Sequence, residues 1–291
     1  NVTNTIYCQF TFFGSVFPLF LSQLGLSKSQ MGFLFSLMPF CGLLAPFLAP
    51  AAARFGYKNF YLVFWGTRKV FTAFLLLTPW VLGVFGVQGA LVFVSVITAI
   101  FAICRAAAET ARVPWVQEYV PAAMQGKYTA TNNIFTSLAG FFSVAVAGYV
   151  LGQSQSLTSF MLLIAVGVFF GFVCVWLTGF IPGGAPAPAR AGARPRRNLG
   201  EAARDHNFLL YLAGVSLIVI ATTPIASFLP LYMQEEVGLD TGDVVYLQMG
   251  SLLGALVTSY LWGWAADRYG SKPVMLYGIN LRLVSLLLLL V

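Results

Sequence analysis

The sequence predicts an all-α protein made of helices that cross a membrane, and three observations carry that prediction. The 291-residue chain is 59% hydrophobic and only 9% charged, where a soluble domain carries roughly a quarter charged residues. Charge is missing from whole stretches: there is none from Phe71 to Ile103, from Tyr128 to Ala189 or from Val244 to Ala266. Each stretch exceeds the roughly 20 apolar residues that a helix needs to cross a hydrocarbon core. A cleaved leader would give one short apolar run followed by a soluble chain, whereas here such runs recur throughout.

Apolar runs read against turn signals give nine helices, at about 1–24, 29–53, 59–85, 89–113, 126–151, 157–181, 207–233, 243–265 and 273–291. Two of them open with capping chemistry, Ser27 with Gln30 three residues on and Asp240 with Asp243. Both caps follow a Gly-Leu pair, in "LGLSKSQ" and "VGLDTGD". Between helices 6 and 7 lies "PGGAPAPARAGARPRRNLGEAARDHN". It is rich in Pro, Gly and Arg and lacks the apolar periodicity of a core element, so it reads as a flexible linker, with a short interfacial helix expected near Leu199–Asp205. The domain reading is therefore a six-helix bundle over 1–181, a linker over 182–206, and the first three helices of a second bundle over 207–291.

Charge orients the chain. Arg54 and Lys58 follow helix 2, Arg112 and Lys127 flank the 4–5 connection, Arg268 and Lys272 follow helix 8, and five arginines sit in the linker. Lys28 stands alone on the other side, where Glu235, Glu236, Asp240 and Asp243 gather. The positive-inside rule then makes the even-to-odd connections, including the 6–7 linker, cytoplasmic. The expected location is the cell (inner) membrane, as a multi-pass protein. Cys8, Cys41, Cys104 and Cys174 all fall within apolar runs, which reads as packing rather than a disulfide framework. Asn1-Val2-Thr3 matches a glycosylation sequon but lies in a membrane segment and is set aside.

The chain repeats itself. Residues 207–291 laid over the start align Pro18 with Pro230, Gly25 with Gly238, Arg54 with Arg268, Lys58 with Lys272 and Arg68 with Arg282. Each copy begins after an even number of spans, so the copies share an orientation, a known transporter plan with the solute site at the repeat interface. The alignment also places the chain's start inside helix 1 and its end inside helix 9, so three further helices are expected.

On these residues the chain resembles the major facilitator superfamily. "GWAADRYGSK", residues 263–272, matches that family's Gly-x-x-x-Asp-Arg-x-Gly-x-Lys signature in the 8–9 loop. Its first copy, "APAAARFGYK" at 49–58, has Ala49 and Ala53 in place of Gly and Asp. "EYVPAAMQGK" at 118–127 resembles the Glu-x-x-Pro-x-x-x-Arg-Gly-Lys pattern of the sugar-porter branch, with Gln125 in place of Arg. The resemblance covers essentially the whole chain. It implies a major facilitator fold in which the 2–3 and 8–9 loops latch the two bundles on the cytoplasmic side. The residues carried over to that gate are Arg54, Gly56, Lys58, Glu118, Asp267, Arg268, Gly270 and Lys272. Ala53 supplies no carboxylate, so the acid-dependent half of the latch is expected at Asp267–Arg268 alone. Glu118 lacks its usual Arg, leaving Lys127, Arg112 or Arg54 as substitutes.

Ionisable residues within spans mark pathways. Helix 4 carries Arg105, Glu109 and Arg112 on one face, and Glu109 is the acid placed within a membrane helix. Glu109 with Arg105 is the candidate proton-coupling pair; the other reading is a pair that neutralises itself. Asn4 and Gln9 on helix 1, Asn132 and Asn133 on helix 5, and Thr222 and Thr223 beside Pro224 on helix 7 are the candidate solute ligands. Such residues also stitch helices together. Uncharged amides and hydroxyls favour a sugar-like solute, with export of amphipathic solutes and a transport-inactive sensor as the alternatives. Arg68 and Arg282 are expected to snorkel to the headgroups. No enzyme motif is present: the lone histidine, His206, lies in a loop, and neither HExxH nor GxSxG occurs. The expected partners are a small-molecule solute, the bilayer and a coupling ion read as H+, with no cofactor, metal or nucleic acid, and the chain is read as a monomer.

Overall fold

The computed structural model describes residues 1–121, 124–154, 156–185 and 204–288. Within these, the side chains of 46, 126, 127, 208, 226, 259, 260, 263, 266, 267, 271, 272 and 282–288 stand outside the description. The described residues form α-helices joined by short turns: α1 (Val2–Phe10), α2 (Val16–Gln23), α3 (Lys28–Gly42), α4 (Ala45–Phe55), α5 (Tyr57–Ala73), α6 (Thr78–Tyr119), α7 (Gln125–Gln153), α8 (Leu157–Gly179), α9 (His206–Glu235), α10 (Thr241–Tyr269) and α11 (Ser271–Leu288). By length and apolarity alone, four helical stretches among them can cross a membrane, or five if the bent α3–α4 pair is one span. One of the four is the whole of Tyr57–Tyr119, although Gly86 breaks the helical backbone within it at φ 65.

Three differences from the expected helices have local causes. The first expected helix is broken at Thr11–Ser15, where Gly14 takes φ 85, a left-handed value open chiefly to glycine. The second bends by 61°, where Pro39 sits inside α3 and a proline lies in the first turn of α4. The fourth runs on to Tyr119 with Pro114 inside it. The expected cap of α3 is present: Gln30 N donates to Ser27 Oγ, and Ser27 N donates to the Gln30 amide oxygen at 2.8 Å.

The repeat is visible in the backbone. Gly25 and Gly238 both have φ 76, and Gly56 and Gly270 have φ 86 and 84. These four aligned positions are turns that a side chain would strain, which explains why both copies keep the glycine.

Packing relies on small residues. A Cβ on Gly171 would lie 2.9 Å from the Tyr7 ring, and one on Gly167 would lie 3.0 Å from Phe10 Cβ. The two glycines, four apart on α8, let α1 approach closely. The main core joins Tyr7, Phe17, Phe20, Leu34, Phe101 and Phe160; a second lies around Trp65, Ala107, Ala111 and Trp115. All four cysteines are free.

Arg68 does not snorkel. It is 1% exposed and its neighbour Lys69 is 0% exposed. Arg68 lies 3.3 Å above the Trp65 ring and Lys69 Nζ 3.1 Å above the Tyr7 ring. Both donate to the same Asn4 oxygen, at 2.8 and 2.9 Å. α5 packs against α6 and α8, and Asn4 and Tyr7 of α1 meet Arg68 and Lys69 there, which puts this face of helix 3 in the bundle interior. Hydropathy alone carries no sign of which face that is. Arg282 and the expected interfacial helix up to residue 203 lie outside the described side chains and residues respectively.

Candidate functional site: a cavity between the two repeats

Between the first eight helices and α9–α10 lies a cavity of about 1100 Å³. Its walls are mostly apolar, with Phe12, Phe13, Phe35, Met38, Met233 and Leu247 prominent. The polar groups that reach it are few. Arg105, Glu109 and Thr110 come from α6, Ser15 from the broken first helix, Thr222, Thr223 and Ser227 from α9, and Gln248 and Ser251 from α10. Pockets of this kind, apolar with a few converging polar groups, are the usual form of a small-molecule site.

The break at Thr11–Ser15 gives the cavity its most elaborate contact. Breaking the helix frees the Ser15 amide, which donates to Gln248 Oε1 at 2.8 Å. Gln248 Nε2 in turn donates to Gln9 Oε1 at 3.0 Å. Gly14 leaves room for both amides, since a Cβ there would lie 2.5 Å from Gln9 Oε1 and 2.7 Å from Gln248 Nε2. A freed backbone group inside a membrane needs such a partner. Gln248 is not among the residues the sequence pattern singles out, although an amide inside the charge-free run from Val244 to Ala266 is a usable signal.

Glu109 pairs with Arg112, whose Nε donates to Glu109 Oε2 at 2.6 Å. Arg105 instead lies 4.8 Å from the Phe13 ring centroid, with Nη1 3.9 Å from Met38 Sδ. The three residues share a face of α6 as expected, but the ion pair is formed by Arg112 rather than Arg105. The helical spacing permits either pair, i,i+3 or i,i+4, and Arg105 is engaged instead by Phe13 and Met38.

Other candidates are dispersed. Thr222 and Thr223 line the cavity. Asn4 is turned to Arg68 and Lys69 inside the bundle. Asn132 bonds Asn1 beside a second cavity of about 650 Å³ that Tyr119 and Tyr128 also line. Asn133 is exposed, and its carbonyl accepts from Thr136.

One end of the cavity is closed by contacts between the halves. Lys28 Nζ lies 2.6 Å from Glu235 Oε2, and Phe35 meets Phe228 edge-on at 5.6 Å. The start of α10 lies against the end of α7. A Cβ on Gly242 would come within 2.8 Å of Gly152 Cα, and one on Gly148 would lie 2.8 Å from the Tyr246 ring. The hydrogen bond to Glu235 and that residue's charge hold the Lys28 ammonium above the usual lysine range, outweighing a smaller opposing effect of desolvation.

At the other end the proposed gate residues make different contacts. Arg54 is exposed. Arg268 is exposed, its guanidinium 5.5 Å from the Trp264 ring and 5.9 Å from the Tyr269 ring. The side chains of Asp267, Lys272 and Lys127 lie outside the description. Glu118 finds no substitute arginine among the described residues; it accepts from the Gly184 amide at 2.5 Å. Gly184 O accepts from the Lys58 amide at 3.3 Å, and Trp115 Nε1 donates to Pro182 O at 3.1 Å. Positive φ at Gly183 and Gly184 folds the chain leaving α8 back onto α6, which is why the Glu118 carboxylate meets a backbone amide.

A family model described as Major Facilitator Superfamily matches residues 2–291. The chain belongs to the major facilitator superfamily. It is accordingly an integral, multi-pass membrane protein of helical build. Over 78 residues it is 40% identical to Protein ZINC INDUCED FACILITATOR 1 of Arabidopsis thaliana. That match takes in 24% of this chain and 16% of the relative, so the chain spans only a small part of that protein's length.

Proposed function

We propose that this chain forms the solute path of a secondary transporter working by alternating access. The observation that carries this reading is the cavity of about 1100 Å³ between two repeat-related halves, closed at one end by inter-half contacts. In this reading nine spans are present: α1–α2, α3–α4, α5 to Phe85, the remainder of α6, and α7 to α11 one each. Residues 1–181 make the first bundle, 182–206 the linker and 207–291 the start of the second. The basic turns at Arg54 and Arg268 face the cytoplasm of the cell membrane, so the closed end is external and the cavity faces inward. Arg54, Gly56, Lys58, Glu118, Asp267, Arg268, Gly270 and Lys272 belong to the cytoplasmic end that must close in the other state. The protein acts as a monomer.

The solute is small and organic. The phenylalanines and methionines of the wall favour an amphipathic body over a sugar, whose hydroxyls would be buried there without partners. Thr222, Thr223 and Gln248 are its polar contacts. Glu109, lining the cavity and held by Arg112, is the proposed proton carrier: protonation would release Arg112 and change the charge of the cavity wall.

The test is solute accumulation in proteoliposomes under an imposed pH gradient. Solutes are chosen from an amphipathic panel by their thermal stabilisation of the protein, since a ligand at about 100 times its Kd adds roughly 2.7 kcal/mol. Wild type should accumulate a stabilising solute against its gradient, and Glu109→Gln should move it downhill only. Stabilising solutes that never cross the membrane would make the protein a sensor and end the transporter reading.

A further inference from the structure

Two guanidinium groups and one carboxylate stand within two turns of α6; Arg105 and Glu109 line the cavity, Arg112 lies just beyond its lining, and their pairing is unequal. Glu109 is bound to Arg112 at 2.6 Å. Arg105 lines the cavity and has no carboxylate within ion-pair distance among the described residues. It rests instead against the Phe13 ring and Met38 Sδ. A guanidinium in an apolar, partly dehydrated site gains little from such contacts and much from a carboxylate, which it meets with two parallel hydrogen bonds. The groups across the cavity, Thr222, Thr223, Ser227 and Gln248, are uncharged.

We infer that the cavity selects amphipathic organic anions, with Arg105 holding the carboxylate and the Phe12, Phe35, Met38 and Met233 wall taking the apolar body. This inference rests on the cavity being the solute path. A cationic solute fits poorly: it would have to displace Arg112 from Glu109 and then lie beside Arg105. A neutral polar solute leaves the Arg105 charge unmatched. The volume of about 1100 Å³, just above the roughly 300–1,000 Å³ usual for small-molecule pockets, admits a bicyclic body.

The experiment compares three probes of one shape and different charge, 2-naphthoate, 2-naphthamide and 2-naphthylmethylammonium, by titration calorimetry on the protein in nanodiscs. Naphthoate should bind saturably and at least tenfold more tightly than either of the others. Arg105→Gln should lower naphthoate affinity to the level of the amide and leave the amide unchanged, and Arg105→Lys should keep part of the preference. Equal affinities, a preference for the ammonium, no naphthoate binding, or a preference that survives Arg105→Gln would each overturn the inference. If Arg105→Gln does not fold, the wild-type ranking alone decides. Flux in proteoliposomes separates the two levels. Naphthoate that binds but does not cross removes the transport reading and leaves the anion site. Amide or ammonium that crosses without any naphthoate preference leaves transport and removes the anion site.

Discussion

The two ends of the cavity are built from the same repeated turns yet hold together differently. At the end bearing Gly25 and Gly238, the halves touch backbone to backbone at Gly152 and Gly242, and an ion pair joins Lys28 to Glu235. At the end bearing Gly56 and Gly270, the described polar contacts stay within the first half: Glu118, Lys58 and Trp115 grip the segment Pro182–Gly184. The difference teaches that the turn glycines are set by backbone geometry, which both ends need. Adhesion between the halves is set by side chains and small residues, which need be engaged at only one end at a time. Interfaces with two discrete arrangements are what a switching protein requires.

The sharpest way to break this asymmetry is Gly242→Leu. Its Cβ meets backbone at Gly152, which cannot swing away, and overpacking of this kind costs about 1–3 kcal/mol. The closed end should loosen, read as faster hydrogen exchange over residues 236–245. Exchange equal to wild type would mean the glycine contact does not hold the halves. Next comes Gln248→Leu, which strands the Ser15 amide and the Gln9 side chain. A buried group left unpaired costs about 1–3 kcal/mol, so the melting temperature should fall, and Gln248→Glu should recover part of it by accepting from Ser15. At the other end, Glu118→Gln should weaken the hold on Gly184 by about 1 kcal/mol and speed exchange of that amide without changing residues 236–245. Spread of the effect to the closed end would show that the two ends are not independent.

The smallest effect is expected from the exposed Lys28–Glu235 pair, which salt screens. The sign of its pH dependence follows from the raised Lys28 ammonium. A group raised in the folded state contributes fully below its unfolded value, and the contribution is lost as pH rises through the folded one. From neutral pH up to the usual lysine range closure should therefore hold steady, it should weaken above that range, and Lys28→Gln should remove that alkaline step.

Much of this was legible in the sequence. Charge-free runs gave the membrane class, and the spacing of Arg54, Gly56 and Lys58 against Arg268, Gly270 and Lys272 gave the repeat, because turns and charges sit at ends where local chemistry decides. Ser27 and Gln30 announced their cap for the same reason. Contacts across the bundle were less visible. Nothing local tells that Asn4 would serve two buried basic side chains or that Arg112 rather than Arg105 would take Glu109. Gly14 looked like one glycine among many until Gln248, more than two hundred residues away in the chain, came against it. Those assignments depend on which faces meet, and hydropathy does not encode that when every face is apolar.

The measurement that tests the asymmetry most directly is a cross-link at the closed end. Lys28→Cys and Glu235→Cys, with the four native cysteines replaced and Thr222→Cys added as a reporter, are placed in sealed vesicles and the pair at positions 28 and 235 is joined. The account predicts that, before joining, an impermeant maleimide reaches the Thr222→Cys thiol from both faces as the protein exchanges states. After joining, it should do so only from the face bearing the Arg54 and Arg268 turns. Labelling from both faces at unchanged rates, or only from the Lys28 face, would contradict it.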